Sequence, residues 1–181
     1  MLNWAAVARR IRVPLGFALA LLYIWLARPS VLSLLAGAIL VAPGLALRAL
    51  ASGHLRKNEQ LAVGGPYAYT RNPLYLGSLI LGCGFVLAAR SWWIAATVAI
   101  FFLVVYVPVI QSEEAFLRKQ FPEFAEYATH VPRLWPRLRG RHPSSEGSFS
   151  WALYLKHREY NALLGAAALT GVLATKLIFR W

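Results

Sequence analysis

Five long apolar runs, over residues 13–27, 31–50, 74–89, 92–110 and 162–179, leave this chain few folds to choose from. Inside a bilayer every backbone N–H and C=O must be satisfied by the segment that carries it, and a helix of about 20 apolar residues does so across the hydrocarbon core. The first run is short for that task and is expected to borrow flanking residues. With 59% hydrophobic residues over 181 positions and a mean hydropathy of +0.52, the expectation is an all-α, polytopic membrane bundle of about five transmembrane helices. Arg9, Arg10 and Arg12 before the first run resemble the charged start of a cleaved leader, but the spans that follow favour a retained helix. Along the chain the expected division is an N-terminal helical hairpin (1–50), a core with the third and fourth helices (51–136), a basic Gly/Pro/Ser-rich linker (137–150) and a C-terminal membrane helix (151–181).

The charges carry a direction. Of 19 Lys and Arg, three precede the first run, four lie at the end of the second (Arg48) or between it and the third (Arg56, Lys57 and Arg71), eight between the fourth and fifth, and only Arg28, Arg90, Lys176 and Arg180 fall elsewhere. By the positive-inside rule the N-terminus and both basic loops are cytoplasmic and the C-terminus is outside, with a bacterial inner membrane as the expected location. The net charge of +12 is then explained by topology and anionic lipid headgroups, and nucleic acid is not an expected partner. All seven acidic residues are Glu, which excludes a Mg-phosphate site built on Asp. Cys83 is the single cysteine, and the four His show no ligand spacing, so no metal site is expected. No glycine pattern matches a dinucleotide or phosphate loop, and Gly82 and Gly84 are read as helix-packing residues.

Two polar clusters interrupt the apolar pattern. The first is Gly65-Pro66-Tyr67-Ala68-Tyr69-Thr70-Arg71-Asn72-Pro73-Leu74-Tyr75-Leu76-Gly77, in which Asn72 and Pro73 read as the N-cap and first residue of the third helix. Arg71 beside a helix N-terminus is suited to a carboxylate. The second is Gln111-Ser112-Glu113-Glu114, where Ser112 is expected to cap a short helical continuation that Phe121-Pro122 ends. Adjacent carboxylates near hydrocarbon call for a cation between or beside them, and a cationic small molecule between the two clusters would answer. The plainer alternatives are an Arg71 that snorkels to headgroups, tyrosines of an interfacial belt, and glutamates balanced by Arg118 and Lys119 on their own helix.

The order Gly-Pro-Tyr-x-x-x-Arg-Asn-Pro-x-Tyr-x-Gly, Glu-Glu, Phe-Pro-x-x-x-x-Tyr and Val-Pro-x-x-x-Pro, over residues 51–136, resembles the isoprenylcysteine carboxyl methyltransferase family and, more distantly, the phospholipid N-methyltransferases. The resemblance implies S-adenosylmethionine as cofactor, in a pocket roofed by cytoplasmic loops. Gln60, Leu61 and Ala62 would line the adenosine with Tyr67 beside it. Arg71, Asn72, Pro73, Leu74 and Tyr75 would form the wall, and Glu113 would take a cationic part of the cofactor. Arg71 and Glu114 are the implied catalytic pair, Glu114 as base if the acceptor is an amine. Asn72 stands where the eukaryotic members carry His, and Val109 where they carry an Arg. The implied acceptor is lipophilic, a carboxylate by preference, entering from the bilayer. An NADPH-dependent reductase of the sterol-reductase type and a non-catalytic scaffold are the rival readings.

The topology has a direct test. A C-terminal alkaline phosphatase fusion is expected to be active and the matching green fluorescent protein fusion dark; the reverse pattern would place the C-terminus inside.

Overall fold

The computed structural model describes residues 4–57, 59–137 and 148–179, and every regular element among them is helical. Five long helical segments coincide with the apolar runs: α1 (Trp4–Leu26), α2 (Val31–His54), α3 (Pro73–Ala89), a continuous rod from α4 (Trp92–Phe101) through a π-helical turn (Phe102–Tyr106) into α5 (Val107–Gln120), and α8 (Tyr160–Phe179). Three segments, Val31–His54, Trp92–Gln120 and Tyr160–Phe179, are long and apolar enough to cross a membrane; Val13–Leu26 and Pro73–Ala89 are shorter apolar helices. The first helix does borrow its flank, since α1 takes in Arg9, Arg10 and Arg12. Large apolar side chains such as Phe17, Leu21, Leu32, Ile39, Trp92 and Leu103 face outward.

The tightest contact joins α2 and α3, and its cause is small residues. A Cβ on Gly37 would lie 2.6 Å from the Gly84 carbonyl, and one on Gly44 would lie 2.8 Å from the Leu81 amide. The pairs run in opposite directions, Gly37 opposite Gly84 and Gly44 opposite Gly77, so two glycines seven residues apart on each helix let antiparallel backbones touch. Gly84 is the packing residue expected. Gly82 instead has only Val98 near its missing Cβ, at 3.5 Å.

At one end of the bundle, side chains finish what the helices leave open. The last carbonyls of a helix have no partner within it. Two of those of α3 are taken by Ser33 Oγ (to Ala88 O, 3.0 Å) and the Arg28 amide (to Ala89 O, 2.8 Å), and Tyr23 Oη adds a bond to Phe85 O (2.8 Å) just inside them. Lys176 Nζ donates to Ile24 O at 2.7 Å and Trp25 O at 3.1 Å, capping α1 from α8.

The π turn has an identifiable origin. Pro108 lacks the N–H that would bond Val104 O, and Trp4 Nε1 takes that carbonyl at 3.0 Å while the Val107 amide reaches back five residues to Phe102 O. The helix then continues unbroken through residues 111–114. Ser112 therefore caps nothing: it lies inside α5 with its hydroxyl on Val109 O at 3.1 Å. Phe121 ends α5 as expected and α6 (Phe124–His130) follows. The expected linker falls mostly outside the described residues, but its far end is docked: the Ser150 amide donates to Gly53 O at 2.9 Å, ahead of α7 (Trp151–Lys156).

Gly84→Val should force the α2 and α3 backbones apart and cost about 1–3 kcal/mol, as overpacking does. Gly165→Ala, with nothing within 4 Å of the new methyl, should leave the melting temperature in detergent unchanged or slightly higher.

Candidate functional site

The two polar clusters meet. The loop before α3 and the middle of α5 are brought together around Glu114, whose side chain is only 6% exposed. Asn72 Nδ2 donates to Glu114 Oε1 at 2.9 Å and Arg133 Nε to Oε2 at 3.0 Å. Arg71 Nε lies 3.5 Å from Oε1, near enough for a charge contact but without hydrogen-bond geometry, and it finds no hydrogen-bond partner among the described residues. One residue earlier, Glu113 Oε1 accepts from the Tyr75 hydroxyl at 2.8 Å.

The start of α3 shows what this arrangement displaces. Asn72 occupies the N-cap position and Pro73 the first helical turn, as expected, yet the Asn72 side chain makes no cap hydrogen bond. Its amide donates to Glu114 and to Arg133 O (3.0 Å) instead. A cap is worth about 1 kcal/mol, whereas a hydrogen bond to a charged group is worth about 1.5–3 kcal/mol, so the exchange favours the site.

The segment 131–137 straps the loop down. Thr70 Oγ1 donates to Leu134 O at 3.1 Å, the Arg71 amide to Pro132 O at 2.9 Å and the Arg137 amide to Tyr69 O at 3.1 Å. Beneath it, Phe124, Tyr127 and Val131 form a small core on which Leu61 and Val63 pack. Tyr127 Oη donates to Tyr67 O at 2.7 Å. Burial, reinforced by Tyr127 and then Glu113, pushes the Tyr67 phenol up, and burial also raises that of Tyr127, so both remain neutral donors. The Arg71 guanidinium lies 6.0 Å from the Phe124 ring centroid.

These positions separate the expected residues into groups. Tyr67, Arg71, Asn72, Pro73, Tyr75, Glu113 and Glu114 are gathered at the start of α3 and the middle of α5, with Leu74 between Pro73 and Tyr75. Leu61 reaches the same region through Phe124 and Tyr127, Ala62 is half-buried beside it, and Gln60 is exposed. Arg71 does not snorkel: its side chain is 12% exposed. Nor does Arg118 balance Glu114; it lies over Phe124 instead. Arg133 was legible only as one of eight loop charges, because nothing in its spacing from Glu114 marks the pair.

An apolar cavity of about 350 Å³ lies between α1, α3, the π turn and α8, lined by Leu19, Phe85, Phe102, Tyr106 and Leu169 among others. Tyr106 links it to the polar cluster, its ring 5.6 Å from that of Tyr75 in an edge-on contact. Among the described residues, no three His, Cys, Asp or Glu gather as a metal site.

The model of the phospholipid methyltransferase family matches residues 11–123, so the chain belongs to that family, a family of membrane proteins. The match reaches further toward the N-terminus than the motif resemblance did and stops before the strap. The chain is similar to the cobalt-zinc-cadmium resistance protein CzcN of Cupriavidus metallidurans, 36% identical over 106 residues, which are 59% of this chain and 47% of that one. It is also similar to the nickel-cobalt-cadmium resistance protein NccN of Alcaligenes xylosoxydans xylosoxydans, 39% identical over 83 residues, 46% of this chain and 39% of that one. The aligned stretches thus span less than half the length of these curated relatives. No solved structure matches. With its apolar helices, the chain is an integral membrane protein of that family.

Glu114→Gln removes the charge that Arg71 and Arg133 share and is expected to cost on the order of 3 kcal/mol. Amide hydrogen exchange over residues 131–137 should accelerate, whereas Glu123→Gln, at an exposed position, should leave that segment protected.

Proposed function

We propose that this member of the phospholipid methyltransferase family transfers a methyl group from S-adenosylmethionine to a lipophilic acceptor, preferentially a carboxylate, at the cytoplasmic face of the membrane. The observation that carries the reading is the junction of Tyr75–Glu113 and Asn72–Glu114–Arg71 at the N-terminus of α3, with an apolar cavity one aromatic contact away. The residues present fit the cofactor. Arg71 Nε is buried without a hydrogen-bond partner among the described residues, and it sits beside a helix N-terminus, the place for an α-carboxylate. Glu113 and the Tyr75 hydroxyl are suited to an ammonium or sulfonium. Leu61, Ala62 and Tyr67, with Gln60 at the rim, would hold the adenosine, and Pro73 and Leu74 complete the wall.

S-adenosylmethionine supplies a methyl group already activated on a sulfonium, so the protein's work is alignment and the exclusion of water. A carboxylate acceptor, with a solution pKa of about 3.5, arrives ionised and needs no general base. Glu114 then serves as a positioning residue, both of its oxygens engaged in fixing Asn72 and Arg133. Arg71, close to Glu114 and over Phe124, orients what binds at the end of α3. An amine acceptor would instead require Glu114 to release a partner and take a proton.

The charges support a cytoplasmic site. Arg28 and Lys176 bind at the end of the bundle where α1 ends and α3 ends, and Arg90 is the cap residue there, whereas Arg71 and Arg133 belong to the other end. The relatives come from bacteria, in keeping with a bacterial inner membrane. Their names concern metal resistance.

Isothermal titration of S-adenosylhomocysteine in detergent tests the reading. Wild type is expected to bind it in preference to NADPH. Glu113→Gln and Arg71→Ala should each weaken binding by about 1.5–3 kcal/mol, the range for a hydrogen bond to a charged group, with Arg118→Ala changing it little. Binding of NADPH alone, or unchanged affinity in both site variants, would remove the assignment.

A further inference from the structure

A second polar cluster lies deeper in the bundle, at Arg48. Arg48 projects from α2 and donates to Ser78 Oγ and, at 3.5 Å, to Leu74 O, while its other terminal nitrogen pairs with Glu159 just before α8. The side chains are largely buried, at 23% and 11% exposure. Arg48 Nε has no hydrogen-bond partner among the described residues. An arginine at this depth is costly, and its usual justification is a ligand or an ion path.

Its position is that of a seam. Ser78 and Ala162 line the apolar cavity, and Ala162 also lines a smaller one of about 180 Å³ whose wall includes Arg48, Glu159 and Tyr154. Leu74, whose carbonyl Arg48 reaches, immediately precedes Tyr75, the partner of Glu113. The cation thus touches Ser78, a wall residue of the apolar cavity, and the carbonyl of the residue before Tyr75 in the proposed methyl-transfer site. A guanidinium offers a planar fork that matches a carboxylate or phosphate with two parallel bonds, yet Glu159 engages it through one oxygen only and leaves Nε unused. Glu159 follows Arg158, which adopts the left-handed conformation at φ 53°, so this counter-charge rides on a turn between α7 and α8 rather than within a helix.

We infer that Arg48 recognises the anionic headgroup of an amphiphile whose chain occupies the cavity between α1, α3, the π turn and α8, with Glu159 as the resident counter-ion that the headgroup replaces. The inference rests on the methyltransferase reading and makes it more specific: acceptor selection is by negative charge, at a residue outside the cofactor cluster. Carboxylate and phosphate share the chemistry, and the probes separate a free fatty acid from a lipid phosphate.

The test uses the full chain in phosphatidylcholine nanodiscs at alkaline pH, with oleate, oleyl alcohol and oleoyl lysophosphatidic acid as ligands and S-adenosylhomocysteine titrated on the same samples. Wild type should bind at least one of the two anions about tenfold more tightly than the alcohol, and whichever is tighter identifies the headgroup. Arg48→Met combined with Glu159→Gln leaves no buried charge unpaired. This double variant should keep S-adenosylhomocysteine affinity and lose the preference for anions. Glu159→Gln alone should raise anion affinity severalfold, and this variant decides the matter if the double variant does not fold. Equal binding of anions and alcohol by wild type, a preference that survives the double variant, or no gain in Glu159→Gln overturns the role of Arg48 while leaving the cofactor site standing. Failure of wild type to bind S-adenosylhomocysteine overturns the methyltransferase reading and this inference with it.

Discussion

The polar end of this protein is organised by one buried carboxylate. Taking Glu114 out of water costs several kcal/mol, and a single partner would not return that. Charge-assisted hydrogen bonds are worth about 1.5–3 kcal/mol each, and Glu114 receives two, from Asn72 and Arg133, with the Arg71 charge beside them. Those donors come from the loop before α3 and from the strap after α6. A helix, a loop and a strap, which Thr70 and the Arg71 and Arg137 amides also tie together, therefore converge on one charge, and Glu113 and Tyr75, each close by in sequence, meet beside it.

The opposite constraint governs the apolar body. Without a hydrophobic drive between helices in lipid, close approach and satisfied carbonyls do the holding. The Gly37–Gly84 and Gly44–Gly77 contacts supply the first, and Tyr23, Arg28 and Ser33, on the open end of α3, supply the second. Helix α3 is thereby clamped at both ends by groups outside it: donors meet its last carbonyls, and the Glu114 cluster meets its first residues.

The elements legible in the sequence were those whose signal is local. Apolar runs gave helices because their period and length are properties of a single segment, and the Asn72-Pro73 start and the Phe121 stop follow from backbone chemistry at those residues. The meeting of the two polar clusters was also legible, since both lie at same-side ends of neighbouring helices. What escaped depends on partners distant along the chain. Arg133 and Glu114 are separated by the end of α5 and all of α6, and Arg48 and Glu159 are 111 residues apart. Ser112 read as a cap because a polar residue after an apolar run usually marks a boundary, but Pro108 and the π turn shift the helix without ending it. The seven-residue spacing of Gly37 with Gly44 and of Gly77 with Gly84 was a signal available in the sequence for the α2–α3 contact.

The first turns of α3 stand between two different environments. Asn72 and Tyr75 engage the glutamates of α5, while the Leu74 carbonyl and Ser78 face Arg48 of α2. The methyl transfer proposed above would need a water-soluble donor and a membrane-soluble acceptor to approach one another in line, where a misplacement of about 1 Å costs about a hundredfold in rate. Residues 72–78 are suited to such a meeting because their position is determined from both sides by charged hydrogen bonds rather than by a mobile loop. On this account the residue types at 72, 75 and 78 are not independent: the first two connect the same helical segment to α5 and the third connects it to α2, so loosening any one shifts the surface that the proposed reactants would meet.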